Sequence, residues 1–211
     1  MARLEGILGT GNAKKVVELR DLFAFVGVEW KSLSEVPDAI DVDETGATFA
    51  ENARLKACEQ AAHLKAWVLA EDSGLLVDAL DGEPGVLSAR YAGTHGDDAA
   101  NNRLLLEKLG DLPLEKRTAQ FVCYMVLADP AGNVRAESQG RCRGRIVFAP
   151  RGSSGFGYDP LFEIPEYRKT MAELGLVVKS ALSHRAGAAR AIIPQLVHLV
   201  DSGEWTRALG G

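Results

Sequence analysis

The sequence predicts an α/β fold, with strands alternating with helices, and three observations carry that prediction. First, the apolar stretch Leu4–Leu8 runs into the turn Gly9-Thr10-Gly11-Asn12, after which Val16, Leu19, Phe23 and Val26 recur at helical spacing. Second, Thr48-Phe49-Ala50-Glu51 matches a capping box that opens a helix to about His63, and the apolar run Ala66-Trp67-Val68-Leu69 follows it. Third, Ala119, Phe121, Cys123, Met125 and Leu127 alternate with Val122, Tyr124, Val126 and Ala128. A strand apolar on both faces belongs in the middle of a sheet. With 211 residues, 46% of them apolar, the chain has enough material to bury a full core, and 1–211 reads as one domain.

Bulk charge narrows the function classes. A formal net charge of −5 argues against duplex binding or membrane-surface attachment by general electrostatics, so neither nucleic acid nor membrane is expected as a partner. Cys58, Cys123 and Cys142 are odd in number and lack C-x-x-C spacing. They read as reduced thiols, forming neither a disulfide frame nor a zinc site. The apolar run near the start is interrupted by Glu5 and Gly6, unlike a signal peptide, and no later run approaches membrane-spanning length. The cytoplasm is the expected location.

Taken in order, the first unit is a strand, a glycine-containing turn and a helix that Gly27 stops. Amides at such a helix start suit phosphate, and Lys14 and Lys15 would add full charges; a plain cap by Asn12 is the simpler reading. Neither the P-loop nor the dinucleotide-turn spacing is present. Val28 to Ala39 reads as a strand and loop, and Asp41 to Gly46 as an acidic loop. Glu51 has a sufficient task in its capping box, Asn52 and Lys56 share one helix face, and His63 is expected to meet the last carbonyls of its helix.

Leu69-Ala70-Glu71-Asp72-Ser73-Gly74-Leu75 places two carboxylates and a hydroxyl between apolar runs, beside a glycine expected to turn the backbone. Buried carboxylates need a cation or donors, and a hard ion such as Mg²⁺ with a phosphate ligand is one solution. Asp81 to Gly85 is a turn by composition, and Asp97 or Asp98 caps a helix that ends at Gly110. Asp129-Pro130-Ala131-Gly132-Asn133 reads as a hairpin turn. The return strand carries Arg141, Arg143 and Arg145, loosened by Gly140 and Gly144, and is expected at a solvated sheet edge. Gly152 to Pro160 interleaves glycines, Phe156, Tyr158 and Asp159: either a loop on which a flat base stacks, or one whose rings plug the core. Thr170 to Glu173 is a further capping box, and Ser183 caps the last helix, which Pro194 should kink. His184 and Arg185 place cations at a helix start, where a bound anion would compensate them.

Four blocks therefore stand in order: Thr10-Gly11-Asn12-Ala13-Lys14-Lys15; Glu44-Thr45-Gly46 with Phe49-Ala50-Glu51-Asn52-Ala53 and Lys56; Asp72-Ser73-Gly74; and Phe156-Gly157-Tyr158-Asp159-Pro160 with Lys179 and Ser183-His184-Arg185. Together with Pro84-Gly85 and Ser88-Ala89-Arg90-Tyr91, and spanning almost the whole chain, they resemble the inosine/xanthosine triphosphate pyrophosphatase, or Ham1, family.

The resemblance implies a long, bent mixed β-sheet flanked by helices, two lobes with the site in a central cleft, and a homodimer. It implies Mg²⁺-dependent hydrolysis, with Mn²⁺ as a substitute, of ITP, dITP or XTP to monophosphate and pyrophosphate. Carried over by residue, Thr10, Gly11, Asn12, Ala13, Lys14 and Lys15 hold the triphosphate, with Lys56 adding charge. Glu44 and Asp72 hold the metal, Asp72 also accepts the proton of the attacking water, and Ser73 contacts substrate. Phe156, Gly157, Tyr158, Asp159, Lys179, His184 and Arg185 surround the base. The family usually has two aspartates before the serine; here Glu71 takes the first place, and its role is open.

Overall fold

The computed structural model describes residues 3–209. Its elements are β1 (Leu4–Leu8), α1 (Ala13–Phe23), β2 (Val28–Ser32), α2 (Phe49–Leu64), β3 (Val68–Val77), α3 (Asp98–Leu109), β4 (Thr118–Ala128), β5 (Val134–Ile146), β6 (Phe162–Ile164), β7 (Lys169–Thr170), α4 (Met171–Leu182), α5 (His184–Asp201) and α6 (Glu204–Arg207). The strands form a seven-stranded sheet in the order β2-β1-β3-β4-β5-β6-β7. It is mixed: β1 pairs in parallel with β2 and β3, and β6 is antiparallel to β5 and β7. The doubly apolar strand β4 takes the central place its composition predicts.

Helix starts follow local chemistry. Asn12 Oδ1 accepts the amides of Lys14 and Lys15, and the Thr48/Glu51 and Thr170/Glu173 capping boxes are both closed. Asp97 caps α3 by accepting the Ala100 amide, and Ser183 Oγ accepts the Ala186 amide in the first turn of α5. Helix α4 is broken at Gly175, whose backbone is non-helical, whereas α5 runs from His184 to Asp201 with Pro194 inside it. Among the described residues no helix is long and apolar enough to cross a membrane.

The chain divides into two compact units. One contains the stretch up to Asp72, Cys123–Gly140 and the stretch from Ala188 onward. Strand alternation sends Leu8, Leu69, Met125 and Leu127 into a core with α1 and α5, and Ile7, Val68, Ala70 and Val126 into a second core with Ala53, Ala57 and Ala61 of α2. Trp205 of α6 stacks on Trp67 at 4.4 Å between centroids and accepts the Trp67 indole N–H on its carbonyl. Burying such side chains contributes roughly 1.5–3 kcal/mol each.

The other unit, Ser73–Val122 with Arg141–Gly187, packs Leu75, Val77, Leu105, Phe121, Phe162 and Met171 into its own core. The fully buried Arg117 donates to the carbonyls of Gly110 and Val147, tying the end of α3 to the residue after β5.

Three expectations are corrected, and one in part. Strand β3 continues through Glu71, Asp72, Ser73 and Gly74 with no turn. Strand β5 is flanked by β6 only at Arg145 and Ile146, where Arg145 pairs with the buried Glu163; Arg141 and Arg143 are exposed, as a solvated edge requires. Gly144 does not loosen the strand: a Cβ there would lie 2.5 Å from the Glu163 carbonyl oxygen, so glycine permits the close approach of β6. His63 meets the carbonyl of Asp38 in the preceding loop, at 2.9 Å, instead of its own helix end.

Candidate active site

Two groups of polar side chains stand out, one in each unit. The first is organised by β3. Successive strand residues face opposite sides, so Glu71 and Asp72 point toward different faces. Glu71, 3% exposed, turns toward the face that carries α1, where Lys15 Nζ lies 3.0 Å from its Oε1 and the Cys123 thiol donates to Oε2 at 2.8 Å. Asp72, 8% exposed, turns toward the α2 face. There Lys56 Nζ is 3.3 Å from Asp72 Oδ1 and 3.3 Å from Glu44 Oε2, so one ammonium serves both acids. Burial pushes the Asp72 carboxyl above the usual aspartate range; Lys56 pulls it back and Glu44 pushes it further up.

Asn52 organises this group; the sequence places it on the helix face of Lys56 but assigns it no role in the site. It is 1% exposed; its Oδ1 accepts the Gly46 amide at 2.8 Å, and its Nδ2 donates to Asp72 Oδ2 at 3.3 Å. One amide thus fixes both the aspartate and the loop that carries Glu44. A Cβ on Gly46 would sit 2.7 Å from Asn52 Oδ1, so the loop approaches closely because that residue is glycine. The sequence signals were the four-residue spacing that puts Asn52 on the face of Lys56 and its place in the Phe49 to Ala53 block.

Glu44 and Asp72 present hard carboxylate oxygens around one cationic neighbour, a donor chemistry that fits a hard divalent ion. No cluster of three or more His, Cys, Asp or Glu suited to a metal occurs among the described residues. An ion held by this pair would complete its shell with water and substrate oxygens, as Mg²⁺ commonly does.

The Thr10 to Lys15 segment runs from the turn after β1 into the first turn of α1, with Lys14 exposed and Lys15 paired to Glu71. The plain helix cap is present: Asn12 occupies the amides of Lys14 and Lys15.

The second group centres on Gly155 to Asp159. Asp159 Oδ2 accepts the Phe156 amide at 2.9 Å and Lys179 Nζ at 2.8 Å. Gly155 has φ +86°, and a Cβ there would lie 2.1 Å from Asp159 Oδ2, so no side chain fits. Lys179 Nζ stands 4.3 Å from the Phe156 ring centroid and the Arg185 guanidinium 5.8 Å from it. Arg185 also donates to Ser73 Oγ at 3.3 Å, and His184 stacks on Phe121 at 4.8 Å. Tyr158 is core, with its hydroxyl on the Ser88 carbonyl, and burial raises its phenol well above the usual range. Of the two readings of this loop, the ring that plugs the core is Tyr158, while Phe156 stands among cations.

The sequence itself is similar to proteins of known kind. A model of the Ham1 family matches residues 7–195. A dITP/XTP pyrophosphatase of Rhodopirellula baltica is 61% identical over 196 residues, covering 93% of this chain and 94% of that protein. The solved Ham1 protein of Staphylococcus aureus is 39% identical, with a TM-score of 0.79 over 94% of this chain and 99% of its own. A HAM1 protein from Coxiella burnetii superposes with a TM-score of 0.82 at 36% identity, covering 94% of this chain and 99% of that one. Family match, high identity along nearly the full length and shared fold agree: this chain belongs to the Ham1 family.

Proposed function

We propose that this chain hydrolyses the triphosphates of deaminated purines (ITP, dITP and XTP) to the nucleoside monophosphate and pyrophosphate, with Mg²⁺. The observation that carries the reading is Asp72: a buried carboxylate with raised proton affinity, sharing Lys56 with Glu44 and oriented by Asn52. The name of the Rhodopirellula baltica relative supports the reaction and substrate class.

In this reading Asp72 accepts the proton of a water whose oxygen attacks the α-phosphorus. The bond from that phosphorus to the bridging oxygen breaks, pyrophosphate leaves, and the hydroxyl stays with the monophosphate. Glu44 and Asp72 would hold Mg²⁺, whose charge would offset that of the phosphate oxygens. Lys56 offsets charge on the departing pyrophosphate, since positioning and electrostatics dominate phosphoryl transfer.

The triphosphate is assigned to the Thr10 to Lys15 turn, through the amides of Gly11 and Ala13, which the Asn12 cap does not use, and through the lysine side chains. The base is assigned to Phe156, Lys179, His184 and Arg185, with Ser73 contacting substrate. Donors facing the 6-position favour a keto oxygen; the amino group of adenine would leave them unpaired. A homodimer in the cytoplasm completes the proposal and rests on the family resemblance.

The test is a release assay with purified protein, Mg²⁺ and ITP, XTP, GTP, ATP and a modified pyrimidine triphosphate. Pyrophosphate from ITP and XTP, with little from ATP or GTP, is expected. Orthophosphate would move the attack to the terminal phosphate. No product with either Mg²⁺ or Mn²⁺ would leave a binding module that does not hydrolyse.

A further inference from the structure

Helix α3 lies outside every block that carries the family resemblance, yet one of its faces holds the loop bearing Phe156. Asp98 and Asn102 are four residues apart and so share that face. Asp98 Oδ2 accepts the Gly157 amide at 2.8 Å, and Asn102 Nδ2 donates to the Gly157 carbonyl at 2.9 Å. The same Nδ2 donates to the Asp98 carbonyl at 2.8 Å, which ties the two gripping residues to each other. Both polar groups of Gly157 are therefore taken by one helix.

The space a side chain would take at that residue is open. A Cβ built on Gly157 would meet nothing within 4 Å, and its φ of +62° is left-handed. Its neighbours are fixed by other means, Phe156 through the Asp159 carboxylate and Tyr158 through the Ser88 carbonyl. At the tip of the loop, hydrogen bonds from α3 do what side-chain packing does elsewhere. The assignment of Asp98 to α3 capping does not compete, because the cap is Asp97.

We infer that Asp98 and Asn102 are specificity-determining positioning residues: their joint grip on Gly157 sets the Phe156 ring against Lys179 and Arg185, and through it the discrimination between purine bases. This rests on the reading of the Phe156 loop as the base-binding end. It also means that the Gly157 amide is not available to read the base edge.

The experiment compares Asp98→Ala, Asn102→Ala, the double variant, Asp98→Asn and Phe156→Ala by kcat and KM for ITP and GTP, pyrophosphate inhibition and Tm. Each alanine should raise KM for ITP about two- to tenfold, the effect of one lost hydrogen bond, with kcat little changed. The ITP-over-GTP ratio should shrink, while inhibition by pyrophosphate, which lacks a base, stays the same. Asp98→Asn keeps an acceptor for the Gly157 amide and should restore KM. An unchanged ITP-over-GTP ratio in the folded double variant overturns the inference. So does a fall in kcat and Tm without a change in that ratio, which would make the grip merely structural. Phe156→Ala separates the two layers. If it collapses discrimination while the double variant does not, only the role of α3 fails; if it leaves discrimination intact, the base-end reading fails and the inference with it.

Discussion

Glu71 and Asp72 are neighbours in sequence, carry the same charge and are both nearly buried, yet the structure treats them in opposite ways. Glu71 is saturated: an ammonium on one oxygen and a thiol on the other, at a side-chain exposure of 2%. Asp72 keeps 11% of its side chain exposed, shares its cation with a second acid and is held at raised proton affinity. The difference comes from strand alternation, which points one residue at α1 and the other at α2. A buried charge with matched partners is structure; a buried charge with a contested partner is available for chemistry.

The sharpest way to break the comparison is to neutralise each acid in turn. Asp72→Asn should lower kcat by about 10²–10⁴-fold, the contribution of a positioned general base. It should also stabilise the protein in chelator. Because the folded-state pKa of Asp72 is raised above 3.8, the folded chain holds its proton more tightly than the unfolded chain does. The contribution of Asp72 to stability therefore falls as pH rises through that raised value. The Tm gain of Asp72→Asn should be full above the raised value and vanish as pH drops toward 3.8. Near-normal turnover by the folded variant would remove Asp72 from the base role.

Glu71→Ala should do the reverse. It strands Lys15 beside a vacated acid, and breaking such a buried pair costs about 3–5 kcal/mol. Urea unfolding should register that loss. Wild-type stability in the variant would mean that the Lys15 pair contributes nothing and that the contrast with Asp72 is only one of exposure.

Asn52 tests how the contested acid is held. Asn52→Ala removes the donor to Asp72 and the acceptor for Gly46 together, and small misplacements at a reacting centre cost up to about a hundredfold. A drop of ten- to a hundredfold in kcat is expected, smaller than for Asp72→Asn. An unchanged kcat would show that Lys56 alone suffices to orient Asp72.

How much of this was legible beforehand depends on the range of the interaction. The caps at Asn12, Thr48, Asp97, Thr170 and Ser183 are local bonds within three residues and were readable from side-chain type. The central place of β4 was readable because burial on two faces leaves a pattern with no polar side. Only the end of β5 departs from the solvated edge that its composition predicts, because an arginine looks the same in sequence whether it faces water, as Arg141 and Arg143 do, or a buried Glu163 eighteen residues away, as Arg145 does. Gly74 suggests a turn that β3 does not make, because glycine permits one without requiring it. Lys56 could be listed with the acids by resemblance, but its meeting with Glu44 and Asp72 joins a helix, a loop and a strand. The grip of Asp98 and Asn102 on Gly157 spans more than fifty residues and leaves no local trace.

The smallest effect in the comparison lies at Cys123, and it asks whether Glu71 needs its second donor. Cys123 is wholly buried, so replacing it with alanine removes little apolar volume and one donor to a carboxylate. A bond to a charged group contributes about 1.5–3 kcal/mol, and Lys15 remains, so Cys123→Ala should cost toward the lower end of that range. Cys123→Ser decides the cause. If the site behaves as an apolar pocket, serine buries an extra polar hydroxyl and should be less stable than alanine. If the bond to Glu71 matters, the serine hydroxyl donates in place of the thiol, and the serine variant should be the more stable of the two. The second ordering is expected, because a buried carboxylate gains more from a donor than a small cavity loses by accepting one. Turnover should stay near wild type in both variants, since Cys123 lies on the Glu71 side of β3. A serine variant less stable than alanine would reduce the partners that matter to Glu71 to the lysine, and with them half of its contrast with Asp72.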